Sequence, residues 1–157
     1  MTDYRAAPSL IQLERTYEAT PEQVFFAWAD RDALLDWGSP GPGWNITMEA
    51  FEFEVGGRQV TRFSPGNDSE IFLNESRFHD IVPFERIVSS GSMSRDGYPL
   101  FVGVLTIEFA DNGTGCALRL TEQGVFLDGR DQRENHEHGW KLMLDKLGSV
   151  AAVSVDS

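Results

Sequence analysis

Ile11, Leu13, Arg15 and Tyr17 alternate with Gln12, Glu14 and Thr16, a period of two that predicts a strand with one face buried and one charge, Arg15, among its apolar positions. At Thr20-Pro21-Glu22-Gln23 the pattern changes. Thr20 suits an N-cap, Pro21 the first helical turn and Gln23 the reciprocal position of a capping box, so a helix starts here. Val24, Ala27 and Trp28, three and four apart, form its buried stripe, and Asp30 is placed to cap a second short helix containing Leu34, Leu35 and Trp37. Gly38-Ser39-Pro40-Gly41-Pro42-Gly43 then interrupts all regular structure.

Beyond that loop strand signals dominate. Phe51, Phe53 and Val55 alternate with Glu52 and Glu54, Gly56-Gly57 reads as a turn, and the run from Arg58 to Phe63 returns to the turn Ser64-Pro65-Gly66-Asn67-Asp68, which together predict a hairpin. Further strands are expected from Ile71 to Val82 and from Glu85 to Ser94, joined at Pro83-Phe84. Two more, Leu100 to Phe109 and Cys116 to Gly124, flank the turn Asp111-Asn112-Gly113-Thr114-Gly115. Asp131 with Glu134 resembles a second capping box, and Trp140, Met143, Leu144, Leu147, Val150 and Ala151 make one stripe of a helix about five turns long. The predicted class is α+β: a curved antiparallel sheet of about six or seven strands wrapped around a long C-terminal helix, with two short helices after strand 1. A twisted sheet of that width curls, and only the last helix is large enough to cover its concave face. Gly139 leaves a side chain missing from that helix, so a cavity between sheet and helix is expected.

The length of 157 residues suits a single domain, 1–157. With 13 Lys and Arg against 25 Asp and Glu the formal charge is −12, which repels phosphate backbones and anionic headgroups and argues against nucleic-acid and membrane partners. Apolar residues make up 41% of the chain, enough for a sizeable core. Cys116 is the sole cysteine, which excludes an intrachain disulfide and a multi-thiolate metal site. The opening MTDYRAAPSLIQLE has no basic start followed by an apolar run, so a cytoplasmic location is the expectation, and the Asn-x-Ser/Thr triplets at Asn45, Asn67, Asn74 and Asn112 read as chance matches.

No phosphate-binding, dinucleotide-binding, zincin, C-x-x-C or G-x-S-x-G signature occurs. His136-Glu137-His138 carries two histidines, but residues two apart point roughly 200° apart on a helix. A metal pair needs spacing of three or four, so no metal and no cofactor are expected, and the cluster reads as a solvated helix start beside Arg130, Asp131, Arg133 and Glu134. Glu122 shares the apolar face of Cys116, Leu118 and Leu120, which directs a carboxyl into the expected cavity, open to acid/base work, ligand contact or a structural pair with Arg15. Arg62, Asn74, Arg77 and His79 lie on middle strands, where half of all side chains face water, although His79 is a second acid/base candidate. The candidate cavity lining is Trp28, Trp37, Phe51, Phe53, Phe78, Phe101, Leu118, Leu120, Glu122, Trp140 and Met143. The glycine-proline loop, set between Trp37 and Trp44, reads either as a gate to the cavity or as a plain surface turn.

Several of these residues also carry a resemblance: Leu13-x-Arg15, then Ala19-Thr20-Pro21-Glu22-x-Val24-Phe25-x-Ala27-Trp28, a following Trp37, Ile81-Val82-Pro83-Phe84-Glu85-Arg86-Ile87-Val88, and Gly139-Trp140 with Leu144-x-x-Leu147. Over about residues 9 to 152 the chain resembles the START-like helix-grip (SRPBCC) superfamily, and within it the group similar to the C-terminal domain of the activator of the Hsp90 ATPase. The resemblance implies a helix-grip fold with a hydrophobic cavity that binds an apolar or amphipathic small molecule. Its alternatives are a polyketide cyclase- or dehydratase-like enzyme using Glu122 or His79, and a chaperone-contact module of the stress response. Monomer and homodimer are both compatible with it.

Overall fold

The computed structural model describes residues 4–66 and 70–153, so Asn67 and Asp68 of the expected turn lie outside the described residues. The chain runs β1 (Ala6–Tyr17), α1 (Pro21–Ala29), α2 (Arg31–Trp37), β2 (Asn45–Phe51), β3 (Arg58–Ser64), β4 (Phe72–Val82), β5 (Arg86–Arg95), β6 (Tyr98–Asp111), β7 (Cys116–Leu127) and α3 (Arg133–Val153). The strands form one seven-stranded sheet in the order β1-β7-β6-β5-β4-β3-β2. Every pairing is antiparallel. The fold is the expected α+β helix grip.

The local signals explain the elements. Gln23 N donates to Thr20 Oγ1 at 3.2 Å and Thr20 N to Gln23 Oε1 at 2.8 Å, a complete capping box at the start of α1. Asp30 Oδ2 accepts from Ala33 N at 3.1 Å and caps α2, and Trp37 Nε1 donates to Ala27 O at 2.8 Å, which ties the two short helices together. In α3 Leu144, Leu147 and Ala151 have no exposed surface, and in its C-terminal half they pack with Ile11, Val24, Trp37, Leu118 and Leu120 into the main core. No helix among the described residues is long and apolar enough to cross a membrane.

Three expectations are corrected. The strand before the first hairpin is Asn45–Phe51, with a bulge between Met48 and Ala50. Phe53 and Val55 lie in the connection, because Glu52 already closes the hairpin by donating its N–H to Arg58 O at 2.9 Å and accepting from Arg58 N on its Oε1 at 3.0 Å. The second capping box does not form. The Asp131 carboxylate instead accepts from Gln132 N at 2.8 Å and Asn135 Nδ2 at 3.1 Å and faces His136. Arg15 is not paired with Glu122: it donates from Nε to Asp145 Oδ1 of α3 at 3.2 Å, because the register sets Arg15 opposite Leu118 and Ile11 opposite Glu122.

Candidate functional site

Three glycines stand in register across neighbouring strands, Gly91 opposite Gly103 and Gly103 opposite Gly124, and the row continues into Ser76 and Gln59. A β-carbon at Gly91 would run into the Glu75 carbonyl, one at Gly103 into the Gln123 carbonyl and one at Gly124 into the Val102 carbonyl. The neighbouring backbones can therefore approach this closely only where side chains are absent. The missing bulk leaves a cavity of about 560 Å³ between the sheet and the N-terminal half of α3. Its floor is not bare, because the Phe101 ring lies across Gly103 and Gly124.

The wall is mostly aromatic. Trp28 and Trp140 stack at 6.2 Å, Trp28 meets Trp37 edge-on at 4.5 Å, and Phe53 meets Phe78 edge-on at 5.1 Å. The Trp28 indole N–H is buried and has no acceptor among the described residues. Near the mouth, Trp44 packs against Phe63 and Phe72, and Gly38 and Pro40 of the glycine-proline loop join the lining. That loop is held to α3 by a hydrogen bond from Lys146 Nζ to Ser39 O.

One end of the cavity is polar. His136 Nδ1 lies 3.1 Å from Glu122 Oε1, and Trp140 Nε1 donates to Glu122 Oε2 at 3.3 Å. His136 Nε2 lies 3.2 Å from Asp131 Oδ2, but its N–H axis is not aligned on that oxygen, so this contact acts as an ion pair rather than as a directed hydrogen bond. Phe101 and Phe126 flank the imidazole with ring centroids 4.9 and 4.7 Å away. Burial alone would lower the His136 pKa, yet the two carboxylates prevail and raise it to about 9, so the ring is an imidazolium at neutral pH. Asp131 is pushed up by burial, but contact with His136, the Asn135 amide and the Gln132 N–H holds its carboxyl below the ordinary value.

Of the residues predicted to line the cavity, Trp28, Trp37, Phe53, Phe78, Phe101, Glu122, Trp140 and Met143 do so. Leu118 and Leu120 are sealed in the core at 1% and 0% exposure, and Phe51 stacks on Phe53 at 5.9 Å behind the lining. Asn74 also faces the cavity. His79 does not, because it occupies the bulge between Phe78 and Asp80 and is exposed, with Nε2 2.6 Å from Ser90 Oγ. Arg62 is exposed and bonds to Glu49 at 2.7 Å, and Arg77 is exposed and donates to Gly56 O at 2.6 Å.

His136 is the functional candidate that sequence reasoning misplaced as solvated. The signal was available: His136 precedes Trp140 by four residues and Met143 by seven, which sets it on the buried stripe of α3. His138, two residues on, is exposed at the rim. The glycine row carried a signal too, since isolated glycines inside strand patterns mark close backbone approach. Among the described residues no group of three His, Cys, Asp or Glu side chains is arranged to hold a metal ion.

Comparison with known proteins places this architecture. The family model for Activator of Hsp90 ATPase homolog 1-like protein matches residues 18–152. Among solved structures the chain is similar to the Mll3558 protein from Rhizobium loti, with 35% identity and a TM-score of 0.84 over 94% of this chain and 99% of that one. It is similar to a protein from Rhizobium leguminosarum at 25% identity and a TM-score of 0.84, over 94% of this chain and 96% of that one. The AHSA1-like protein from Aeromonas hydrophila shares the fold at 20% identity and a TM-score of 0.69, over 93% of this chain and 94% of that one. No curated protein matches significantly. Because the family match runs from the end of β1 nearly to the end of α3, and the helix grip is complete around it, the chain belongs to the Activator of Hsp90 ATPase homolog 1-like family.

Proposed function

We propose that the protein is a cytoplasmic binding module that takes an apolar or amphipathic small molecule into the cavity between the sheet and α3. The observation that supports this reading best is the cavity itself: about 560 Å³ inside a chain with ample large apolar residues to fill it. Protein interiors pack like organic crystals, and small-molecule sites run from roughly 300 to 1,000 Å³ with a mainly apolar lining and few polar groups. Here glycine and serine occupy the inward positions Gly91, Gly103, Ser76 and Ser89, where larger side chains would close the space. The buried lone thiol of Cys116 suits a reducing compartment.

A cyclase- or dehydratase-like activity is the less favoured reading. Such a step needs two titratable groups facing the ligand, and His79 lies outside the cavity while both ring nitrogens of the His136 imidazolium face carboxylates, so Glu122 lacks a free acid/base partner.

A neutral solvatochromic dye such as Nile red tests the binding reading without the repulsion that an anionic dye would meet on a chain of charge −12. Saturable binding to the wild type, lost in a folded Ser76→Trp variant that fills the cavity, is expected. Equal binding to both proteins would place the dye elsewhere and refute the reading.

A further inference from the structure

We propose that the ligand is an uncharged molecule with a flat apolar body and a hydroxyl group that donates a hydrogen bond to Glu122. This inference rests on the cavity-binding reading above and specifies its chemistry.

Hydrogen-bond accounting at the polar end carries it. Glu122 Oε1 accepts from His136 Nδ1 and Oε2 from Trp140 Nε1, one protein donor to each oxygen. A carboxylate has about four acceptor positions, so roughly one on each oxygen remains. The Glu122 side chain lines the cavity and is 14% exposed, so a bound molecule can reach it. His136 and Trp140 already donate to it, and the lining also carries the Arg95 guanidinium, bonded to Arg130 O at 3.4 Å, and the Asn74 amide. What Glu122 itself offers a ligand is acceptor capacity, which selects a donor, and a hydroxyl that donates to it keeps an oxygen that can accept from the lining N–H groups.

Charge narrows the class further. Locally the carboxylates Glu122 and Asp131 are offset by His136 and the lining Arg95, and it is the −12 of the whole chain that repels an anion at long range. An ammonium group would be attracted, but it would lose its hydration among aromatic rings, whereas a hydroxyl brings the same donor at a much smaller desolvation cost. The stacked Trp28 and Trp140 indoles, 6.2 Å apart at 30°, and the Phe101 ring across the glycine row present faces suited to a planar body.

Fluorescence titration at pH 6.5 with four probes of one shape tests this: pyrene, 1-hydroxypyrene, pyrene-1-carboxylate and 1-aminomethylpyrene. Wild-type protein is expected to bind 1-hydroxypyrene about tenfold or more tightly than pyrene, and the carboxylate more weakly than pyrene, in line with hydrogen bonds to charged groups. In Glu122→Gln the hydroxyl preference should fall to about threefold or less, since the amide turns a donor toward the cavity. Equal binding of all four probes, tightest binding of the amine or the carboxylate, or an undiminished hydroxyl preference in Glu122→Gln would each overturn the hydroxyl inference and leave the cavity reading standing. Failure of every probe to bind, with Nile red also excluded, would overturn both. The wild-type ranking alone decides the matter if Glu122→Gln does not fold.

Discussion

Replacing His136 with Ala removes the cation that stands between Glu122 and Asp131 and leaves two carboxylates facing a gap. The histidine side chain is 9% exposed, with Nδ1 3.1 Å from Glu122 Oε1 and Nε2 3.2 Å from Asp131 Oδ2. Its pKa is raised from 6.5 to about 9 in the fold: burial opposes the shift and the two carboxylates outweigh it. A group with a raised folded-state pKa binds its proton more tightly in the native protein, so its stabilisation is complete below about pH 6.5, declines as pH rises and is lost above about pH 9. The separation between those two values corresponds to about 3 kcal/mol. Asp131 works in the opposite sense on the acid side. Its lowered carboxyl keeps the interaction above the unfolded value near 4, and the contribution is lost as pH falls further. His136→Ala should therefore cost about 3–5 kcal/mol at pH 6, where it strands buried charges. At pH 10 the cost should be smaller by about 3 kcal/mol, because the wild-type ring is then neutral and only its packing between Phe101 and Phe126 is lost. Urea denaturation of both proteins at the two pH values, followed by far-UV circular dichroism, gives the four free energies, and other titrating groups cancel in the difference. A destabilisation that changes by less than about 1 kcal/mol between pH 6 and pH 10 would refute the buried imidazolium, given the linkage magnitude above.

Gly139→Ala should raise stability by about 1 kcal/mol, since a β-carbon there meets no atom within 4 Å and alanine is the better helix former. A loss of stability in a thermal melt would show that the glycine is required by packing. Leu147→Ala should cost about 2–5 kcal/mol, because the side chain has no exposed surface and its removal opens a new void. Trp140→Ala should cost less than Leu147→Ala although it deletes more atoms, because one side of the indole already borders the cavity. The reverse order in denaturant titrations would place Trp140 in the closed core.

What was legible in the sequence was whatever a few neighbouring residues decide among themselves. The alternation of Ile11, Leu13 and Tyr17, the capping box of Thr20 and Gln23 and the stripe of Leu144, Leu147 and Ala151 each reflect a backbone period or a hydrogen bond across one turn, and each reappears in the structure. Alternation also directed Glu122 toward the cavity, as the structure shows.

The partners of the buried charges were not legible, because alternation gives the face a side chain points to and not its position along the strand. Arg15 and Glu122 share a face, yet the pairing of Ile11 with Glu122 sets Arg15 four residues along, about 13 Å away, where α3 brings Asp145 to it. The polar end required the same long-range information, since Glu122 meets His136 only once the path of α3 across the sheet is set. The cavity was decided last and only in three dimensions: Gly91, Gly103 and Gly124 are scattered along the chain, and it is strand register that aligns them into a single row where side-chain bulk is missing.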